Sequence, residues 1–257
     1  MKLIKKIVLG GLVLGLTNAA LAKESWPDKL VFGVIPVAGS TSMKENFGNL
    51  SMYLSKKLGI EVKLQLAGDY TGVITGMQHK HIDFAYFGPK SYVEAVKRSN
   101  AEALVVEVDA ETELPGYKGI IITKKGSGLK SLADIKNKTW AFTSSQSTSG
   151  TLVPTVMFAK KGTNPKEYFS KVFYSGGHEA SILTVKNKKI DAASTNNLDF
   201  NRGLGKKWSK NDFNVIWTSD LIPGAPVAVR ADLPSSLKMA LNVILVLSLV
   251  KWGCFLS

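Results

Sequence analysis

Apolar runs and helically spaced apolar positions alternate along most of the chain. The largely apolar run from Lys29 to Ile35 predicts a buried strand, and the spacing of apolar residues from Phe47 to Leu58 predicts a helix that ends at Gly59, with a loop at 39–41 between them. The pattern then repeats, with predicted strands at 60–66, 82–87, 104–108, 117–123, 139–142, 172–174, 190–194 and 215–217 and predicted helices at 71–79, 89–99, 151–161 and 180–187. This order predicts a mainly parallel α/β sheet, in which ligands bind at the carboxyl ends of the strands.

Two segments that contain Pro and Gly divide this pattern into two units. They lie at 113–116 and 221–226. A chain that passes twice between two units has a cleft and a hinge at the crossings. We therefore predict one lobe from residues 23–114 together with 226–257, and a second lobe from residues 115–225.

Residues 1–22 have the pattern of a secretory signal. Three lysines precede an apolar core at 7–16, and Ala20-Leu21-Ala22 supplies the small residues of a cleavage site. Removal of this segment takes away three lysines and no acid, so the formal net charge falls from +13 to +10. The alternative is a membrane anchor, but the apolar stretch is short for a bilayer span. We expect an exported, periplasmic protein.

The composition excludes some classes of site and partner. Among the 257 residues, Cys254 is the single cysteine, which excludes an intramolecular disulfide and a cysteine-based metal cluster. A basic chain suits nucleic acid, an anionic membrane or an anionic small ligand, but these lysines are dispersed and export argues against nucleic acid. His79 and His81 lack a third ligand, so a solvated turn is favoured over a metal site. We expect no metal and no cofactor.

Three small polar clusters lie where helices are predicted to begin. They are at 69–72 (D-Y-T-G), 147–150 (S-T-S-G) and 176–179 (G-G-H-E). A helix start carries unpaired N–H groups and partial positive charge, so several starts that face one point would attract an anion. The alternative is ordinary helix capping, which is the commoner use of Ser and Thr at such positions. Three consecutive hydroxyl residues before a glycine exceed what a cap needs.

Six motifs follow one another in order across the chain. They are D-Y-T-G-V-I-T-G-M (69–77), I-D-F-A-Y-F-G (82–88), L-P-G-Y (114–117), S-T-S-G-T-L-V-P (147–154), G-H-E-A (177–180) and I-P-G-A-P (222–226). On these motifs the chain resembles the PhnD family, the periplasmic substrate-binding proteins of phosphonate and phosphite ABC transporters. The resemblance implies a type II periplasmic-binding-protein fold, in which two α/β lobes joined by a double-crossing hinge close on an anion.

The resemblance also implies a set of ligand-binding residues. In that family the phosphorus-bound oxygens are held by residues that match Tyr70, Tyr117, Ser147, Thr148, Ser149 and His178. Hydroxyl, imidazole and backbone N–H groups donate hydrogen bonds to oxyanions, and such charge-assisted bonds are stronger than neutral ones. The motifs contain no arginine, so a guanidinium is not expected to be essential.

The implied function is a receptor without enzymatic activity. It captures a small phosphorus oxyanion and presents it to the inner-membrane permease of an ABC transporter. One alternative is a ligand-sensing receptor for a signalling partner. A phosphoester- or phosphonate-acting enzyme is a further alternative, in which Ser147, His178 and Asp191 would be the reactive set, but the G-x-S-x-G elbow of hydrolases is missing.

Two departures from the family bear on the ligand. Family members that bind aminoalkylphosphonates place a glutamate and an aspartate near the ammonium group, and these match the region of Leu198 and the position of Ala225. Asp199, one residue away, is a possible substitute for the first. A buried ammonium without a counter-charge is costly. We therefore expect a ligand without an amine, namely phosphite or methylphosphonate, with phosphate ranked lower.

The chain changes character from about Leu237. Residues 241–250 are almost continuously apolar, whereas the family continues with amphipathic helices that complete the first lobe. We expect a C-terminal part that is truncated or altered. The alternative is a membrane anchor, for which the stretch is short.

Overall fold

The computed structural model describes residues 26–109 and 111–255, with side chains described through residue 247. The predicted export signal at 1–22 lies outside the described residues. In chain order the strands are β1 Lys29–Val34, β2 Glu61–Leu66, β3 Phe84–Tyr86, β4 Ala101–Val106, β5 Gly116–Lys124, β6 Thr139–Phe142, β7 Lys171–Tyr174, β8 Ala192–Asn196, β9 Phe213–Pro223 and β10 Pro226–Arg230. The α-helices are α1 Ser40–Leu58, α2 Tyr70–Gln78, α3 Pro89–Ser99, α4 Val153–Lys160, α5 Pro165–Tyr168, α6 His178–Lys186, α7 Asn197–Arg202 and α8 Ser235–Phe255.

These strands form two sheets of five strands each. The first sheet has the order β2-β1-β3-β10-β4, and the second has the order β7-β6-β8-β5-β9. Helices pack on both sheets, as in the type II periplasmic binding proteins, so the predicted fold class is confirmed. The expectation of mainly parallel sheets was wrong. β10 is antiparallel to β3 and β4, and β5 is antiparallel to β8 and β9, because the chain reverses direction where it passes between the sheets.

The first sheet packs against amphipathic helices. Among the described helices, only α8 is longer than α1. Phe47, Leu50 and Leu54 of α1 are buried in the core, at the spacing that predicted a helix. The helix ends at Gly59, whose φ of 69° is the left-handed conformation that glycine adopts without strain. The predicted loop at 39–41 was wrong, because α1 already begins at Ser40.

The chain passes between the sheets at two adjacent segments, one from β4 to β5 and one from β9 to β10. The Gly224 N–H donates to the Pro115 carbonyl at 2.9 Å, and the Glu107 N–H donates to the Ala225 carbonyl at 2.8 Å. A Cβ on Gly224 would lie 2.3 Å from the Glu107 carbonyl oxygen, so the two segments are too close for a side chain there. They overlap the Pro- and Gly-containing segments at 113–116 and 221–226, and the division of the chain into two lobes stays a prediction.

The start of the C-terminal region forms the helix α8. Leu237, Leu241 and Leu245 are buried in the core of the first sheet, whereas Met239 and Val243 are exposed. The altered tail that we expected from about Leu237 thus contributes, over its described residues, one apolar helical face to that core. No helix among the described residues is both long and apolar enough to cross a membrane.

Candidate functional site

A cavity lies between the two sheets, beyond the carboxyl ends of β1, β3, β6 and β8. Both sheets and their helices contribute to its walls. The first unit supplies Ile35, Val37, Tyr70, Tyr86, Gly88 and Glu107, the second crossing segment supplies Ala225, and the second unit supplies Tyr117, Ser147, Thr148, His178, Asn196, Leu198, Asp199 and Arg202.

Five of the six predicted site residues line this cavity. They are Tyr70, Tyr117, Ser147, Thr148 and His178. Ser149 is buried beside the cavity without lining it, and its hydroxyl has no hydrogen-bond partner among the described residues. The structure therefore brings together residues that are up to 108 positions apart in the chain. Their contact with a ligand stays a prediction.

The hydroxyl cluster follows β6 and opens a continuous helical segment. A π-helical turn at Thr148–Leu152 leads into α4, and Ser147 caps the turn by accepting a hydrogen bond from the Gly150 N–H at 3.0 Å. The Thr148 hydroxyl accepts from the Lys90 N–H of α3 at 2.9 Å, which links the two units. Ser147 thus has the predicted capping role, and both Ser147 and Thr148 line the cavity.

His178 is the first residue of α6 and is almost fully buried. Its Nδ1 lies 3.1 Å from the Thr195 hydroxyl, and its Nε2 lies 3.9 Å from an Asp199 carboxylate oxygen. Burial lowers the pKa of His178 below its usual value, although Asp199 opposes this effect. The imidazole is therefore neutral at pH 7, and a neutral imidazole still donates one hydrogen bond.

The tyrosines of the cavity are neutral donors. Tyr70 begins α2, where Asp69 caps the helix by accepting from the Gly72 N–H at 2.7 Å. Burial, with a smaller contribution from Asp199, raises the pKa of the Tyr70 phenol well above its usual value. Burial also raises the pKa of Tyr117, and the nearby hydroxyls of Ser149 and Thr148 offset part of the rise. Both phenols keep the proton that they would donate to an oxyanion.

A buried ionic cluster forms another part of the wall. The Arg202 guanidinium donates to the carboxylates of Glu107 and Asp199. Tyr86 donates to the second oxygen of Glu107 at 2.5 Å, and Asn196 donates to the second oxygen of Asp199 at 2.7 Å. Burial alone would lower the pKa of Arg202, but the two carboxylates raise it above its usual value, so the guanidinium stays charged.

Most of this cluster was not predicted from the sequence. Asp199 was considered only as a substitute for a neighbouring position, and no essential arginine was expected because the motifs contain none. Asp199 and Arg202 do carry a local signal, since opposite charges three positions apart meet on one helical face. Glu107 carries none, because it lies 95 positions before Arg202 and meets it only in the folded chain.

Further polar contacts join the two units at the rim of the cleft. The Gly39 N–H, just before α1, donates to the Glu179 carboxylate of α6 at 2.9 Å. Lys207 donates to both oxygens of Glu179 at 2.7 Å and to the Ser42 hydroxyl at 2.8 Å. Asn197 of the second unit also donates to the Asp109 carboxylate of the first at 2.9 Å. The cleft is therefore closed in this structure.

Comparison with known proteins identifies the family. Residues 32–247 match the family described as "ABC transporter, phosphonate, periplasmic substrate-binding protein". The chain belongs to this family. The phosphonate-binding family consists of periplasmic substrate-binding proteins of transporters and is not an enzyme family, so the chain is a member of a transport-receptor family with a periplasmic location.

Individual members of the phosphonate-binding family agree with this assignment. The phosphonates-binding periplasmic protein of Escherichia coli (strain K12) is 35% identical over 222 residues, which cover 84% of this chain and 64% of that protein. This chain thus spans a little under two thirds of that relative's length.

Two solved structures share the fold. A binding protein component of an ABC phosphonate transporter from Pseudomonas aeruginosa superposes with a TM-score of 0.79 at 33% identity, covering 84% of this chain and 72% of that chain. A protein from Prochlorococcus marinus in complex with methylphosphonate has a TM-score of 0.77 at 25% identity, covering 85% and 84% respectively.

Proposed function

We propose that this chain captures a small phosphorus oxyanion in the periplasm for uptake by an ABC transporter. Phosphite, methylphosphonate and closely related phosphonates are the proposed ligands. The observation that carries the proposal is the wall of neutral donors, in which Tyr70 from one unit faces Tyr117, Ser147 and His178 from the other across one cavity. The names of the relatives support it, because the Escherichia coli protein binds phosphonates and the Prochlorococcus marinus structure holds methylphosphonate.

The proposed chemistry depends on directed donors. A tetrahedral oxyanion presents oxygens in several directions, and the phenols, the Ser147 and Thr148 hydroxyls and the His178 imidazole approach the cavity from different elements. Each hydrogen bond to a charged oxygen is worth about 1.5–3 kcal/mol. The buried Ser149 hydroxyl lacks a partner and is a further donor in this proposal.

Closure of the cleft completes the proposed mechanism. Residues 23–114 with 226–257 move as one lobe and residues 115–225 as the other, about the two adjacent crossing segments. The contacts of Glu179 with Gly39 and of Lys207 with Ser42 form as the lobes meet, and the permease of the inner-membrane transporter recognises the closed form. Export by cleavage of residues 1–22 belongs to the same proposal.

Calorimetric titration of the purified chain tests this function. Phosphite, methylphosphonate, 2-aminoethylphosphonate and phosphate are compared, with sulfate as the control for a tetrahedral anion without phosphorus. We expect saturable binding of phosphite or methylphosphonate that is tighter than binding of sulfate. Absence of binding for every phosphorus oxyanion would contradict the proposal.

The enzymatic alternative has no support in the arrangement of its three residues. The Asp191 carboxylate accepts from the Thr139 N–H at 2.8 Å and from the Thr139 hydroxyl at 2.7 Å, and it does not line the cavity. The carboxylate next to His178 is that of Asp199 instead. We propose that the chain has no enzymatic activity, and phosphate release from a phosphoester or phosphonate during prolonged incubation would overturn this.

A further inference from the structure

Arg202 lies between two carboxylates on the wall of the ligand cavity. Glu107 belongs to the segment that leaves β4, and Asp199 lies one helical turn before Arg202 on α7. All three side chains are largely buried, with exposed fractions of 7%, 5% and 16% for Glu107, Asp199 and Arg202. The cavity wall therefore contains two buried carboxylates that share one resident cation, the Arg202 guanidinium.

Each carboxylate oxygen of this cluster accepts a hydrogen bond from a resident donor. Arg202 donates to one oxygen of Glu107 and to one oxygen of Asp199. The remaining oxygens accept from the Tyr86 hydroxyl at 2.5 Å and from the Asn196 amide at 2.7 Å. An ammonium group that entered the cavity would find no carboxylate oxygen without a donor and would lie beside a buried guanidinium.

Such an ammonium would be unfavourable for two physical reasons. A buried cation needs a counter-charge and hydrogen-bond acceptors to compensate for its lost hydration, and here the two carboxylates already pair with a resident guanidinium and each of their oxygens already accepts from a resident donor. The remaining wall beside the cluster includes the apolar side chains of Leu198 and Ala225, which suit an alkyl group or a hydrogen atom on phosphorus.

We propose that Arg202 is a specificity-determining residue, whose guanidinium takes the position that a ligand ammonium would occupy between Glu107 and Asp199 and thereby excludes aminoalkylphosphonates. The inference rests on the proposed function and narrows its ligand class to phosphonates and phosphite without an amine. It also predicts that removal of the guanidinium creates an ammonium site, because two buried carboxylates then lack a cation.

The test compares two ligands that differ only in charge and polarity. Propylphosphonate and 2-aminoethylphosphonate have the same number of non-hydrogen atoms, and the ratio of their dissociation constants cancels any loss of folded protein. We expect the intact protein to bind propylphosphonate about tenfold or more tightly than 2-aminoethylphosphonate. In Arg202→Met the ratio of the two dissociation constants should change by about tenfold or more in favour of 2-aminoethylphosphonate.

Two control variants separate this role from others. The gain for the amine should disappear in the triple variant Arg202→Met, Glu107→Gln, Asp199→Asn, which has no buried charge in the cluster. Arg98→Met, on the exposed side of α3, should leave the ratio unchanged. If Arg202 acted only by binding the phosphonate oxygens, Arg202→Met would weaken both ligands equally.

The outcomes distinguish this inference from the proposed function. Failure of the intact protein to bind methylphosphonate or phosphite overturns both. Binding of methylphosphonate, together with equal or tighter binding of the amine by the intact protein, overturns only the inference, and so does a ratio that Arg202→Met leaves unchanged. If neither longer ligand binds the intact protein, binding of 2-aminoethylphosphonate alone by Arg202→Met supports the inference and its absence overturns it. If Arg202→Met does not fold, the ratio of the two dissociation constants measured for the intact protein decides whether the inference stands.

Discussion

Gly150 is the position where a single methyl group should perturb the site most. A Cβ on Gly150 would lie 2.1 Å from the Thr143 hydroxyl oxygen, 2.4 Å from the Thr143 Cβ and 2.9 Å from the Ser147 hydroxyl oxygen. The loop has little room to shift, because the Gly150 carbonyl accepts from the Thr143 N–H at 3.1 Å and from the Ser194 hydroxyl at 2.6 Å. Gly150→Ala therefore forces either Thr143 or the hydroxyl cluster away from its position.

The expected cost follows from this overlap. Overpacking of a buried site typically costs about 1–3 kcal/mol, and the overlap with the fully buried Thr143 places Gly150→Ala at the upper end of that range. Thr143→Ala should not rescue the variant, because its Cβ would remain. Ligand affinity should fall as well, since the Ser147 hydroxyl is displaced from its hydrogen bond with the Gly150 N–H.

Urea unfolding and calorimetric titration of methylphosphonate measure these two effects. Gly48→Ala is the matched control, because Gly48 lies within α1 and a Cβ there meets nothing within 4 Å. That substitution should leave binding unchanged and increase the free energy of unfolding by roughly 0.5–1 kcal/mol, as expected for alanine in a helix. An unfolding midpoint and an affinity for Gly150→Ala equal to those of the unmodified chain would refute the steric argument.

Three further predictions concern the ligand, pH and the last helix. Ser147→Ala should weaken methylphosphonate binding by about 1.5–3 kcal/mol in calorimetry, and unchanged affinity would remove Ser147 from the site. Because burial lowers the pKa of His178, its contribution to the free energy of unfolding should be fully present above about pH 6.5. As the pH falls below about 6.5, the free energy of unfolding should decrease by at most about 1.4 kcal/mol per pH unit on account of this residue. Urea unfolding of His178→Gln should lack that part of the decline, and an identical pH profile would contradict this assignment. Leu241→Ala should cost about 2–5 kcal/mol of unfolding free energy, whereas the half-exposed Val243→Ala should cost much less, and equal effects would contradict the packing of α8.

Local patterns predicted the elements that carry the site. The Pro89 start of α3, the Asp69 cap before α2 and the turn at Gly59 all depend on residues within a few positions of one another. Such signals are visible in a single sequence because the hydrogen bonds that produce them are local. The directions of β5 and β10 were not visible in this way, because they depend on where the chain crosses between the sheets.

The donor side of the cavity was likewise accessible from sequence, through motifs at helix starts that resemble a known family. The ionic side of the cavity could not be predicted from the sequence, because Glu107 and Arg202 come from segments with no shared motif and become neighbours only after both sheets have formed. Ser149 is the opposite case, because it was predicted as a site residue. It belongs to the predicted motif, yet in the structure it is buried beside the cavity without lining it.

The charge of the whole chain and the charge of the cavity have different signs. The chain carries a formal +13, but the cavity is lined by two carboxylates and one guanidinium, with a His178 whose lowered pKa leaves it neutral. The proposed anion would therefore be stabilised by oriented O–H and N–H groups and not by a net positive charge. Arg202 is compatible with that arrangement because its charge is already shared by Glu107 and Asp199. The same pairing that keeps the guanidinium from dominating the proposed anion site also gives every carboxylate oxygen of the cluster a resident donor, so one buried cluster accounts for both properties of the cavity.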